Sequence, residues 1–139
     1  MRTIYVTRHE HFNAAHKLWN HDWSDEKNEE IFGKCSNKNW HGHNYDLYVT
    51  VKGTPDADTG YVMDLKVLSD IIKVKVLDKV DHKNLNLDVA FMQGIMASTE
   101  NLCFAVWDEL KSEVEKHNCT LHCVKIYETS NNFAEYYGE

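Results

Sequence analysis

Apolar residues alternate with polar ones along some stretches of this chain and recur every third or fourth position along others, and that contrast lays out its elements. Residues 3 to 13 are rich in β-formers, with Ile4, Val6 and Phe12 on one parity and Tyr5, Thr7, His9 and His11 on the other. The first parity continues through Ala14 to His16. A second run, His43 to Lys52, sets Tyr45, Leu47, Val49 and Val51 against Asp46, Tyr48, Thr50 and Lys52, the clearest strand pattern in the chain. Between the two, Ser24-Asp25-Glu26 supplies an N-cap and an acidic first turn for a short helix to about Phe32, an excursion between strands.

Gly53-Thr54-Pro55-Asp56-Ala57-Asp58-Thr59-Gly60 is turn chemistry, and Tyr61-Val62-Met63 resumes strand character, so a hairpin is expected there. The period then changes. Asp64 caps a helix to about Lys79 with Leu65, Leu68, Ile72 and Val76 on one face, and Ser98-Thr99 cap a second carrying Leu102, Val106, Leu110 and Val114. Leu121 to Glu128 and Phe133 to Tyr137 read as a closing hairpin across Thr129-Ser130-Asn131-Asn132. Strands, helix, helix, strands predict an α+β fold: an antiparallel sheet of about four strands with two helices on one face. The other face then meets solvent or a second subunit, and Tyr45, Tyr48 and Trp40 suit association.

At 139 residues the chain makes one domain with a single core. Lys and Arg number 15 against 22 Asp and Glu, a net charge of -7, which argues against broad nucleic-acid or anionic-membrane binding. An anionic substrate must therefore be met locally. The first residues lack an apolar run of signal-peptide length and nothing approaches a membrane span, so the protein reads as cytoplasmic. In that compartment Cys35, Cys103, Cys119 and Cys123 are expected to be reduced, the last three as small buried hydrophobes in a helix and a strand.

The chemistry gathers at Cys35-Ser36-Asn37-Lys38-Asn39-Trp40-His41-Gly42-His43. On a strand, His41 and His43 point to one face, half of a metal site. Cys35 is either a further ligand or a reactive group, and spacing leaves both open. His9 and His11 are an equally spaced pair, but with Glu10 between them they also suit a polar sheet face. A catalytic zinc commonly has three protein ligands and an open position, and His16 can supply the third nitrogen if the first two strands pair. A cupin-like pattern would want a glutamate where Tyr48 stands, and a metallo-β-lactamase-like one an aspartate where Tyr45 stands; both are disfavoured. Asp81-His82 suits proton transfer, although such a pair is commonly a surface feature, and Glu128 reads as an exposed strand-end glutamate unless inward parity buries it.

Phe12-Asn13-Ala14-Ala15-His16, Phe32-Gly33-Lys34-Cys35, His41-Gly42-His43-Asn44-Tyr45, Asp81-His82-Lys83-Asn84-Leu85, Ser98-Thr99-Glu100-Asn101 and Tyr127-Glu128-Thr129 together resemble, in order and across nearly the whole chain, the 6-pyruvoyl-tetrahydropterin synthase family. The resemblance implies a tunnelling fold (T-fold) whose trimers close their sheets into an oligomeric barrel and stack as a hexamer, with sites between subunits. It implies zinc on His16, His41 and His43, and Cys35 as a proton-transferring base with Asp81 and His82 completing the catalytic group. Glu128 would anchor the pterin's amino-pyrimidine edge, assisted by main chain around Ser98 and Thr99. The implied reaction converts 7,8-dihydroneopterin triphosphate to 6-pyruvoyl-tetrahydropterin, releasing triphosphate without an external redox cofactor, and Lys34 and Lys38 are possible sources of charge for the phosphates. The nearest competitor is the 6-carboxy-tetrahydropterin synthase branch, which belongs to queuosine biosynthesis; a non-catalytic zinc-binding assembly module is the alternative of another class. Trp40 departs from the pyruvoyl branch, which usually has a small residue before the first histidine.

Overall fold

The computed structural model describes residues 1–139. Its sheet runs, edge to edge, through Lys83–Asn84 (β3), Ile4–His16 (β1), His41–Gly53 (β2), Thr120–Thr129 (β4) and Asn132–Tyr136 (β5). Strands β1 (Ile4–His16) and β2 (His41–Gly53) pair antiparallel from Ile4 opposite Gly53 to His16 opposite His41. On the far edge of β2 lies β4 (Thr120–Thr129), which turns back into β5 (Asn132–Tyr136), both pairings antiparallel. The four long antiparallel strands match the expectation; a fifth, β3 (Lys83–Asn84), adds a short parallel contact to Ala14 and Ala15. The excursion between β1 and β2 contains α1 (Asp25–Phe32), capped by the Ser24 hydroxyl, which accepts from the Lys27 backbone N–H. Asn28, fully buried, closes that excursion by accepting from the Asn20 N–H and donating to the Asn20 and Ser24 carbonyls.

Period two sorts β2 cleanly: Tyr45, Leu47, Val49 and Val51 are buried on the face that meets the helices. Asp64 caps α2 (Leu65–Ile72), which runs through a π-helical turn, Lys73–Leu77, into α3 (Asp78–Val80). The turn has a geometric reason. Leu68, Ile72, Val76 and Val80 are spaced by four, and at 3.6 residues per turn each step drifts about 40° around the rod. A wider turn absorbs about one residue, which returns Val80 to the face of Leu68, and all four are fully buried. The last helix, α4 (Thr99–Val114), has the same spacing at Leu102, Val106, Leu110 and Val114 without a π turn. It buries a broader arc because it packs on β4, β5 and α2 together. Each such aliphatic side chain contributes about 1.5–3 kcal/mol through removal from water.

Two expectations are overturned. Tyr61-Val62-Met63 forms no strand: both edges of β2 are taken by β1 and β4, so no ladder position is open to it. Instead the Asp56 carboxylate accepts from the Asp58 and Thr59 N–H groups, the loop folds on itself, and Val62 and Met63 reach the core without strand pairing. Tyr45 is no association residue, since its parity takes it wholly into the core, where its ring stacks on Phe12 at 4.9 Å. All four cysteines are unpaired, and burial pushes the Cys103 thiol up to about 12. No helix is long and apolar enough to cross a membrane.

Candidate active site

The β1–β2 register builds the core of the site. His16 stands opposite His41 and Ala14 opposite His43, so His16 projects from one strand toward the two histidines projecting from the other. Ring centroids lie 4.5 Å apart for His16 and His41, 5.1 Å for His16 and His43, and 5.0 Å for His41 and His43. Gly42 faces the opposite way, where a Cβ would meet only the Ala14 carbonyl at ordinary contact distance. Glu128 enters from the adjoining strand: the ladder between β4 and β5 shifts between Tyr127 and Thr129, and the carboxylate reaches 3.2 Å from His16 Nε2 and 3.1 Å from His43 Nε2. Parity has buried this glutamate substantially, leaving its side chain 25% exposed.

The protonation pattern follows from one contact. His16 Nδ1 lies 2.6 Å from the Ala97 carbonyl oxygen, which can only accept, so Nδ1 is the donor and Nε2 is the ring nitrogen turned toward the cluster. That Nε2, His41 Nδ1 and His43 Nε2 are buried atoms without a hydrogen-bond partner. Burial is the main cause holding the His41 imidazole below its ordinary range, followed by repulsion from its two histidine neighbours; burial likewise lowers His43, against the pull of Glu128. Three convergent imidazoles with orphaned nitrogens and a carboxylate oxygen facing them describe a cation site, with potential ligand atoms of His16, His41, His43 and Glu128 all within 4.8 Å of one another.

Two of these features escape sequence reasoning. Glu128, expected as a substrate anchor, belongs geometrically to the histidine group as well. Tyr45 continues the 41, 43 parity, and its ring lies edge-on to His43 at 5.6 Å and to His16 at 6.1 Å, closing the apolar floor. Burial, with the Glu128 charge adding to it, pushes its phenol well above the ordinary range, so the hydroxyl stays protonated. That shared parity was the available signal.

The other residues singled out from the sequence surround the cluster unevenly. Ser98 spends its hydroxyl on the α4 cap, accepting from the Asn101 N–H at 3.2 Å. Thr99, with a buried hydroxyl that has no partner, lines a cavity of about 280 Å³ together with Glu128, Asn132 and Phe133. Cys35 is half-buried in the 3-10 turn Gly33–Ser36, and its carbonyl accepts from the Leu18 N–H at 2.7 Å, tying that turn to the chain just past His16. Asp81 and His82 stand apart. The Asp81 carboxylate accepts from the Asn13 N–H and lies 3.1 Å from His82 Nδ1, while the His82 side chain is 81% exposed. Within one chain no hydrogen bond or ion pair joins them to the cluster; the imidazole acting on Asp81 besides His82 is His11, on the β1 parity opposite His16. His9 is accounted for on that outward face, stacked on Tyr48 at 4.4 Å and paired to Asp46 at 2.7 Å.

Comparison with known proteins gives the family. The family model described as 6-pyruvoyl tetrahydropterin synthase matches residues 5–139. A Dictyostelium discoideum protein named 6-pyruvoyl tetrahydrobiopterin synthase is 46% identical over 99% of this chain and 98% of its own length. The Homo sapiens protein of the same name is 42% identical over 96% and 91%. Relatives named 6-carboxy-5,6,7,8-tetrahydropterin synthase are more distant, as in Synechocystis at 31% identity over 91% of this chain and 88% of the relative. The solved structure of the Caenorhabditis elegans 6-pyruvoyl tetrahydropterin synthase superposes with a TM-score of 0.92 at 38% identity, covering 100% of this chain and 98% of that one. Sequence, fold and the convergence of His16, His41, His43 and Glu128 lead to one conclusion: the chain belongs to the 6-pyruvoyl tetrahydropterin synthase family.

Proposed function

We infer that this chain is a metal-dependent lyase that converts 7,8-dihydroneopterin triphosphate to 6-pyruvoyl-tetrahydropterin with elimination of triphosphate. The observation that carries the reading is the histidine triad with three orphaned ring nitrogens facing one carboxylate, in a chain 46% identical to a synthase so named. Neutral imidazole donors in this number suit zinc, with His16, His41 and His43 as ligands. When bound there, zinc would supply Lewis acidity to the hydroxyls of the substrate's side chain. The chain's own groups do the rest. Glu128 and Thr99 share a cavity and offer an acceptor and a hydroxyl to the donor-rich amino-pyrimidine edge, with main chain at Ser98 beside them. Cys35 takes a carbon-bound proton of the side chain, and Asp81 orients the His82 imidazole, which returns a proton as the C–O bond to triphosphate breaks.

Assembly would account for the separation of Asp81 and His82 from the cluster. The sheet ends on edge strands, and its outward face carries Tyr5, His9, Tyr48 and His122. A homo-hexamer of two stacked trimers, with sheets joined into a barrel, would bring one protomer's Asp81 and His82 toward the cluster of the next. Unpaired cysteines are consistent with a cytoplasmic setting.

Incubation with dihydroneopterin triphosphate followed by mass spectrometry tests the reading. A pyruvoyl product is expected, with about one zinc per chain that is lost in His41→Ala. A carboxy product would transfer the protein to the other branch of the family, and absence of turnover with any dihydropterin would overturn both enzyme readings. Cys35→Ala is expected to keep its zinc while losing activity; loss of zinc there would make the thiol a ligand instead.

A further inference from the structure

Trp40 is an unusual residue for its position. Its φ is 68°, in the left-handed region where any Cβ crowds the backbone and glycine is favoured. The compensation lies in its indole: Lys17 Nζ stands 4.5 Å from the centroid of the Trp40 ring and 5.0 Å from that of Trp19. Lys17 is fixed in place, since its N–H donates to the Asn86 side-chain oxygen and its carbonyl accepts from the Asn86 amide, each at 3.1 Å. It is half-buried, yet its ammonium has no carboxylate partner, although the exposed Asp22 lines the same cavity. An ammonium resting on two ring faces and lacking a counter-ion keeps its N–H donors available to an anion.

That cavity, about 490 Å³, is lined at three separate segments by chain neighbours of residues that build the histidine cluster. Lys17 follows His16, Trp40 precedes His41, and Met96 precedes Ala97, whose carbonyl holds His16. The segment from Met96 to Thr99 passes from this cavity, through the His16 contact, to the cavity of Thr99 and Glu128. Two cavities are thus lined by cluster residues or their immediate chain neighbours, one carrying the Glu128 carboxylate and the other the Lys17 ammonium. We propose that Lys17, presented by Trp19 and Trp40, is the subsite that takes the polyphosphate end of the substrate, with the pterin ring in the cavity of Glu128 and the side chain spanning the cluster. This assignment rests on the proposed function. In a chain of net charge -7, an ammonium held on two indoles without a carboxylate partner is the kind of group that a polyanion needs.

The test compares Lys17→Gln and Lys17→Arg with the unaltered, zinc-replete protein. Lys17→Gln should raise KM for dihydroneopterin triphosphate about tenfold or more, the loss expected of a charge-assisted contact, with kcat within about twofold. Its affinity for unphosphorylated dihydroneopterin should not change, and Lys17→Arg should recover most of the loss. Trp40→Gly should give a smaller rise in KM at unchanged zinc content. Calorimetry with magnesium tripolyphosphate separates this subsite from the reaction itself. Phosphate binding lost in Lys17→Gln, in a protein that turns over no pterin, would leave the subsite standing and remove the proposed function. Normal turnover with an unchanged KM in Lys17→Gln, or an equal loss of binding affinity for phosphorylated and unphosphorylated ligand, would overturn the subsite.

Discussion

Single atoms decide more of this site than residue identities do. His16 is recognisable in the sequence as a possible third nitrogen, but the reason its Nε2 faces the cluster is the Ala97 carbonyl, 81 residues away along the chain. A main-chain acceptor leaves no trace in residue type, so that part was not legible. Asp81 shows the same dependence on backbone. The Asn13 N–H, foremost, and then the His82 side chain hold its carboxyl below the ordinary 3.8, so it is ionised at neutral pH and serves His82 as an anion rather than as an acid. The sign of its effect on stability follows from linkage. A carboxylate lowered by folding contributes fully above the unfolded value and loses its contribution as pH falls through the lowered one. Asp81→Asn is therefore expected to cost about 0.5–1 kcal/mol at pH 7, the value of a charged hydrogen bond discounted for solvent exposure. In urea unfolding the gap between variant and parent should narrow as pH is lowered toward 3. A gap that stays constant across that range would refute the assignment.

Elements were legible where period and caps agreed. The parity that predicted β2 also put His41, His43 and Tyr45 on one face, and the serine caps at Ser24 and Ser98 formed as read. What failed at this scale was competition. Tyr61-Val62-Met63 has strand-forming residues but no free edge on β2, the strand its turn would fold it back against, and a local pattern cannot show that a neighbour's edges are already occupied. The π turn in the α2–α3 rod was likewise hidden, although four-spaced residues over the whole rod imply some correction for drift. The end of the chain carries a further packing constraint. Gly138 has φ 81°, and a Cβ there would lie 2.5 Å from Cζ2 of Trp107, a residue 7% exposed on α4. The tail after β5 is thereby clamped to the helix that lines the site at Thr99. Gly138→Ala should destabilise by about 1–3 kcal/mol, from strained backbone and the displaced indole together. At fixed protein concentration this corresponds to a fall in Tm of roughly 4 °C per kcal/mol, readable by differential scanning fluorimetry. An unchanged Tm would show that the tail is not held there.

At the scale of the whole molecule, one chain supplies a histidine–carboxylate cluster but leaves Asp81 and His82 on another part of its surface. Sequence resemblance placed all of them in one catalytic group, whereas the topology of one chain attaches the pair to Asn13, beside the outward face of β1. A site shared between protomers reconciles the two, and it makes a prediction that no single-chain site can satisfy. His41→Ala removes a cluster residue, His82→Ala removes a pair residue, and each homo-oligomer should be inactive. If the cluster and the pair come from different protomers, co-refolding equal amounts of the two variants gives sites that take an intact cluster from one variant and an intact pair from the other. With random closed assembly about one site in four has that composition, so activity near a quarter of the parent level is expected from two inactive proteins. Light scattering of the same mixture should report the mass of the parent oligomer. Full-mass mixed oligomers that remain inactive would place His82 and the histidine cluster in the same protomer's site, and would require the Asp81–His82 turn to move across β1 during the reaction.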